Sequence, residues 1–288
     1  MMGLGAPLAV VANDAGAANI ILAWLSAEDL SGIRAVMMGP ALALWKGRFG
    51  DAPCASSIEE ALDGAAALLS GTGWASDGEH RARKAARALD LPSVAVIDHW
   101  VNYPDRFVRD GETILPDRVW VTDPYALAEA RRTLPGTPSE ERPNLYLSSQ
   151  AAAAGPLPPT GDVLFVAEPA RSDWGRDSAG EFQALDYFMA HRAAIGLGAA
   201  RVRVRPHPSD SAGKYDAWIA AHPGAALDLS PDMATALRPA STVVGMNSFA
   251  MVIALVSGRR TICALPPWAP PWRLPHDGVV HLSRLKAD

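Results

Sequence analysis

The chain has 288 residues, 49% of them hydrophobic and 20% charged, which is enough for two cores of ordinary domain size rather than one. A net charge of -5 gives no general attraction to polyanions, and no local basic patch replaces it, so nucleic acid is not an expected partner. The two cysteines, Cys54 and Cys263, fall in segments assigned to different domains, which fits reduced thiols of a cytoplasmic protein better than a disulfide framework or a cysteine-held metal.

The N-terminal stretch MMGLGAPLAVVANDAGAANIILAWL is apolar but lacks a basic start and is broken by Asn13, Asp14 and Asn19, so a secretory signal is not expected. No apolar run reaches the roughly 18 residues of a spanning helix, leaving at most peripheral membrane contact. Within this stretch PLAVVA (7–12) reads as a buried strand, NDAGAAN as a polar turn and IILAWLSAEDL as a helix. The same order recurs with IRAVMMG (33–39) as strand, SIEEAL as helix, AAALLSGTG as strand and loop, DGEHRARKAARALD as helix and PSVAVID (92–98) as strand. The basic run RARKAAR (81–87) reads as a solvated helix face. DRVWVTD (117–123) is a further strand, and PYALAEARRTL a helix with Pro124 in its first turn.

From about residue 134 to 160 the composition changes to PGTPSEERPNLYLSSQAAAAGPLPPTG, rich in Pro, Gly and Ser, which reads as an interdomain connection with a boundary near 150 to 158. The cycle then restarts with strand DVLFVAE (162–168), helix EFQALDYFMAHRAAIG, strand ARVRVRP (200–206), helix KYDAWIAAH, the short AALDL, helix DMATALRPA, strand TVVGM (242–246), helix SFAMVIALVSG and strand RTICALP. The proline-rich tail PWAPPWRLPHDGVVHLSRLKAD has no assignable periodicity. Strands alternating with helices imply parallel pairing through right-handed crossovers, hence an α/β fold of two Rossmann-like, doubly wound domains, 1–150 and 158–288, facing a cleft.

In open α/β sheets ligands lie beyond the carboxyl ends of strands, where helix N-termini present free N–H groups to anions. The polar residues at those ends are Asn13, Asp14, Gly71, Thr72, Gly73, Asp98 and His99 in the first half and Glu168, Arg171, Arg205, His207, Asn247 and Ser248 in the second. VRVRPHPSD (202–210) is the sharpest of these, because Pro206 and Pro208 restrict the backbone around His207. Its imidazole either ends a strand in a hydrogen-bonded loop, or donates to a phosphate oxygen or moves a proton. Arg205 is expected on the same side of the strand, adding permanent positive charge. In GMNSFAMVIALVSG (245–258), Gly245 permits a tight turn and Asn247 or Ser248 caps an apolar helix, leaving main-chain donors for an anion. Asp14 either caps a helix or accepts a hydroxyl proton. Trp100 and Tyr103, after Asp98 and His99, offer flat faces for a sugar or base. No G-x-S-x-G elbow and no Asp-x-Asp pair is present, so neither a serine hydrolase nor a metal centre is expected.

This order of motifs resembles the two-Rossmann-domain sugar-nucleotide enzymes of the GT-B fold, including bacterial UDP-N-acetylglucosamine 2-epimerases and surface-polysaccharide glycosyltransferases. VIDHW stands where those epimerases carry a carboxylate-bearing strand end, which makes Asp98 the counterpart. VRVRPHPSD is similar to the second strand of the C-terminal domain, and GMNSFAMVIALVSGRRTICALP to the phosphate-binding strand, loop and helix. The His-Pro pair also resembles bacterial sialyltransferases, whose histidine contacts the phosphate of a CMP-sugar, while a carboxylate of the N-terminal domain acts as base; Asp14 or Asp98 are the positions available. SFAMVIALVSG departs from the pattern in lacking the carboxylate that holds ribose hydroxyls.

The resemblance implies a metal-independent cytoplasmic glycosyltransferase without a cofactor. Residues 158–288 would bind a CMP- or UDP-linked sugar, and residues 1–150 a glycan or lipid-linked acceptor for surface polysaccharide. An epimerase or hydrolase of the same fold, or a non-catalytic nucleotide- or carbohydrate-binding relative, is the alternative. The implied catalytic residues are Asp14, Asp98 and His207, with Arg171, Arg205, Gly245, Asn247 and Ser248 at the phosphate and Asn13, Gly71, Thr72, His99 and Glu168 along the walls.

Overall fold

The computed structural model describes residues 3–285. The chain divides into two compact units, residues 1–146 and 147–288, each built on a six-stranded parallel sheet.

Unit 1 contains strands β1 (Leu8–Ala12), β2 (Ile33–Met37), β3 (Ala67–Ser70) and β4 (Ser93–Val96), a small hairpin of β5 (Val108–Arg109) and β6 (Glu112–Thr113), then β7 (Arg118–Val121) and β8 (Ser139–Glu141). Its helices are α1 (Ala15–Leu25), α2 (Gly39–Phe49), α3 (Ile58–Leu62), α4 (Gly78–Ala88) and α5 (Pro124–Thr133). The sheet order is β2-β1-β3-β4-β7-β8, with Val10 of the central strand opposite Ala35 on one side and Leu69 on the other. All five residues of β1 are buried, as a strand covered on both faces requires. Leu8, Val10 and Ala12 turn to one face and pack with Ile21, Trp24 and Trp45 of α1 and α2. Ala9 and Val11 turn to the other, against Ile58, Leu62, Ala82 and Ala86 of α3 and α4, so the period-two alternation feeds two separate layers.

The helix α6 (Leu145–Ala154) crosses the division between the units. Unit 2 contains β9 (Asp162–Val166), α7 (Gly180–His191), β10 (Val202–Arg205), α8 (Asp216–Ala221), β11 (Ala225–Leu227), α9 (Met233–Leu237), β12 (Ala240–Gly245), α10 (Phe249–Val256), β13 (Arg260–Cys263) and β14 (Val280–His281). The order is β11-β10-β9-β12-β13-β14, which is the Rossmann strand order 3-2-1-4-5-6 when counted along the unit. One face of the sheet, with Val163, Phe165, Val202 and Val204, packs on Leu185 and Phe188 of α7 and Trp218 of α8. Among the described residues no helix is long and apolar enough to cross a membrane.

Three segments differ from their sequence reading. Residues 134–160 are not a bare connection, because β8 pairs with β7 and α6 follows. The carbonyls at the end of α6, Ala154, Gly155 and Pro156, are taken by the buried Arg259 guanidinium, a long-range cap that composition does not reveal. GPALALWKGRF forms α2, with Pro40 in its first turn and Ala41 and Trp45, one turn apart, buried. The proline-rich tail contributes β14, parallel to β13.

Candidate functional site

Each sheet reverses its direction of winding at one point, where adjacent strands send their connections to opposite sides and leave a crevice at their carboxyl ends. In unit 1 that point lies between β1 and β3; in unit 2 it lies between β9 and β12.

At the unit 1 crevice Asn13 and Asp14 follow β1, and Gly71, Thr72, Gly73 and Trp74 follow β3. Asp14 occupies the N-cap position of α1 with no side-chain cap bond. Its carboxylate turns across the crevice instead, accepting from Asn13 Nδ2 at 2.6 Å and from the Trp74 main-chain N–H at 2.8 Å. The approach needs Gly73, since a Cβ there would lie 2.4 Å from the Asp14 carboxyl carbon. Asp98, beyond β4, is paired with buried Arg106 at 3.0 Å and packs against the start of α1, where a Cβ on Gly16 would come 1.7 Å from its Oδ2. Asp14 and Asp98 therefore both border the first turn of α1.

The loops themselves are held from beneath. Glu79, buried in the first turn of α4, accepts the Asn13 N–H at 3.0 Å and the Gly73 N–H at 2.6 Å. Burial raises its pKa, while those two N–H groups, unlike nearby Asp14, favour the charged form. Arg83, one turn later, is also buried and donates to Ser70 Oγ and the Gly71 carbonyl. Burial lowers its pKa to about 10, so it stays charged at neutral pH. Arg83 thus corrects the solvated-face reading of RARKAAR. The signal was present, since Glu79, Ala82, Arg83 and Ala86 share one helix face and the two alanines mark it as inward.

Other expectations for this half also change. Gly71 is buried and needed for room, since a Cβ would lie 2.2 Å from Glu79 Oε1. Thr72 is 1% exposed and bonds the Val96 carbonyl, so both lie beneath the surface rather than along a wall. Trp100 and Tyr103 are buried, with the Trp100 indole donating to Asp123, and present no open face. His99 packs against Trp100, ring centres 5.2 Å apart. The exposed aromatic at this crevice is Trp74.

At the unit 2 crevice Glu168 and Arg171 follow β9, and Asn247 and Ser248 follow β12. Ser248 caps α10, its Oγ accepting from Ala250 N at 3.2 Å. Asn247 Oδ1 accepts from Arg273 N at 2.7 Å, tying the loop to the C-terminal segment. Burial raises the pKa of Glu168, opposed by the Asn247 main-chain N–H and the charges of Arg171 and Arg273. Arg171 is exposed with φ +55°. Gly245 is required by packing, because a Cβ would meet Val166 Cγ2 at 2.7 Å and Met251 Sδ at 2.8 Å.

His207 follows β10 in a braced loop. Asp210 accepts the His207 N–H at 2.8 Å and is itself held by Lys214 and Tyr215. The Ser209 N–H donates to Nδ1 at 3.2 Å, and Ser209 Oγ lies 2.7 Å from the same atom. An Nδ1 that accepts an amide proton carries none, so the neutral ring holds its proton on Nε2 as a donor. Burial lowers the pKa of His207; Asp210 opposes this, and Arg171 and Lys214 add to it. Arg205 is committed away from His207 through Nη1. Its guanidinium is engaged by buried Asp228 at 2.9 Å and the Ser230 carbonyl at 2.8 Å, and Arg203, two residues earlier on the same face, shares Asp228. Strand alternation puts the two arginines together, and the carboxylate of the next strand claims both.

The parallel six-stranded sheets, with polar loops at both switch points, can be set against known structures. No protein-family model matches the sequence, and no curated protein does. Among solved structures, the glycotransferase of kitacinnamycin superposes with a TM-score of 0.52 at 13% identity, over 97% of this chain and 87% of that one. S. aureus MnaA in its structure with UDP superposes with a TM-score of 0.58 at 11% identity, over 89% of this chain and 78% of that one. The chain has a GT-B-like fold. At such identities the likeness is one of fold, and in GT-B terms unit 1 is the N-terminal Rossmann-like domain and unit 2 the C-terminal one.

Proposed function

We propose that this GT-B-like protein is a glycosyltransferase that takes a sugar from a CMP- or UDP-linked donor, held by unit 2, to a glycan or lipid-linked acceptor, held by unit 1, in surface-polysaccharide synthesis. The observation that carries the reading is the braced His207, whose tautomer leaves Nε2–H as a donor in a loop beside the switch point of a Rossmann-ordered sheet, with Arg171 nearby. A phosphate there receives a neutral donor, a guanidinium and the first turn of α10. Asp14 or Asp98 takes the proton of the acceptor hydroxyl, whose oxygen attacks the anomeric carbon. The bond from that carbon to the phosphate oxygen breaks, and the nucleotide leaves with the electron pair. Stabilisation of that departing charge is assigned to Arg171 and His207 without a metal ion; such electrostatic terms are usually the largest in catalysis.

The test begins with thermal shift against CMP, UDP, GDP and dTDP, since a ligand bound only by the folded state raises its stability. Turnover of the matching nucleotide sugars with oligosaccharide acceptors follows. His207→Ala should lower turnover by about 10²-fold or more. Unaltered turnover rejects the assignment. Donor conversion without any acceptor supports instead an epimerase or hydrolase of the same fold.

A further inference from the structure

Trp74 is 48% exposed beyond the carboxyl end of β3 in the unit 1 sheet, yet its main chain is fixed by the bond to Asp14. Two guanidinium groups approach its indole, those of Arg106 and Arg109, each with its central carbon 5.7 Å from the ring centre. Their charges are balanced differently. Arg106 is buried and paired with Asp98. Arg109 spends donors on two main-chain carbonyls, Gly73 at 2.5 Å and Val108 at 2.7 Å, and among the described residues it forms no ion pair. The β5–β6 hairpin that carries it turns through Asp110 and Gly111, φ +49° and +77°, the left-handed pair of a tight two-residue loop. A half-exposed indole, an acceptor carboxylate beside it and an uncancelled cation over part of its ring match three parts of one ligand. The C–H face of a pyranose stacks on the indole, a hydroxyl donates to Asp14, and an anionic substituent meets Arg109.

We propose that Trp74 and Arg109, beside Asp14, form a subsite for a pyranose ring bearing a carboxylate, which makes the acceptor an acidic sugar. The proposal rests on the reading that unit 1 takes the acceptor. The test titrates the full chain with methyl glucuronide and methyl glucoside, followed by ligand-observed NMR. The wild type should bind the glucuronide about tenfold more tightly, the scale of one charge-assisted contact. Trp74→Ala should weaken both ligands, Trp74→Phe should keep most of the binding, and Arg109→Gln should erase the preference. Equal affinity for the two glycosides, binding of neither, or wild-type behaviour of Trp74→Ala overturns the proposal. The nucleotide thermal shift on the same sample separates the two ideas. Nucleotide binding without glycoside binding sinks this subsite alone, whereas the glycoside pattern without nucleotide binding leaves the subsite standing and removes the transferase reading.

Discussion

Replacing Glu79 tests whether a buried carboxylate, rather than the strands alone, fixes the unit 1 crevice. Each oxygen of Glu79 holds one main-chain N–H, at 3.0 Å from Asn13 and 2.6 Å from Gly73. Hydrogen bonds to a charged group contribute about 1.5–3 kcal/mol each, so Glu79→Ala should cost about 3–6 kcal/mol, a large part of the stability of a domain. The buried Arg83 charge also loses its neighbouring anion, which adds to the loss. Glu79→Gln keeps one acceptor but aims its amide N–H groups at the second donor, so it should lose about half as much. Urea titration followed by tryptophan fluorescence reads the difference as a shifted midpoint at unchanged slope. A Glu79→Ala protein within about 1 kcal/mol of the wild type, or a Gln variant no more stable than the Ala variant, would refute the clamp.

Two further outcomes concern unit 2. Arg259→Met strips the donors from the buried Ala154 carbonyl and from the more exposed Gly155 and Pro156 carbonyls and should destabilise the protein by about 1–3 kcal/mol, the cost of one buried acceptor left without a partner; a loss below about 0.5 kcal/mol in urea contradicts the cap. His207 has its pKa lowered in the fold from 6.5, so below about pH 6.5 the unfolded chain takes up a proton there before the folded chain does. Stability should fall as pH drops through that window, and less steeply in His207→Gln. Identical slopes for the two proteins between about pH 6.5 and 5 would show that His207 is not desolvated as described.

Much of the chain was legible because its signals are local. β1 reads as a strand covered on both faces because five consecutive small or branched apolar residues leave no polar side, and GMNSFAMVIALVSG reads as strand, cap and helix because Ser248 precedes an unbroken apolar run. The polar residues past β1, β3, β9 and β12 were identifiable for the same reason: strand ends are visible in sequence, and chemistry collects there. Residues 134–160 were legible as the stretch where the two units divide, but their strand and helix were missed because what holds them is distant, β7 for the strand and Arg259, over a hundred residues away, for the helix end.

The sequence by itself determined the alternation of strands and helices, and with it the parallel, doubly wound sheets and the loops where a site would form. Only the tertiary structure decided which charges in those loops are committed. Arg205 looked free beside His207 and is held by Asp228, Arg83 looked solvated and is buried, and Trp100 looked available while Trp74 is the ring left in water. Covalent order fixes which residues a strand end presents, but the balance of a charge depends on which other segment folds against it. That partner is set by sheet order and packing, not by spacing along the chain.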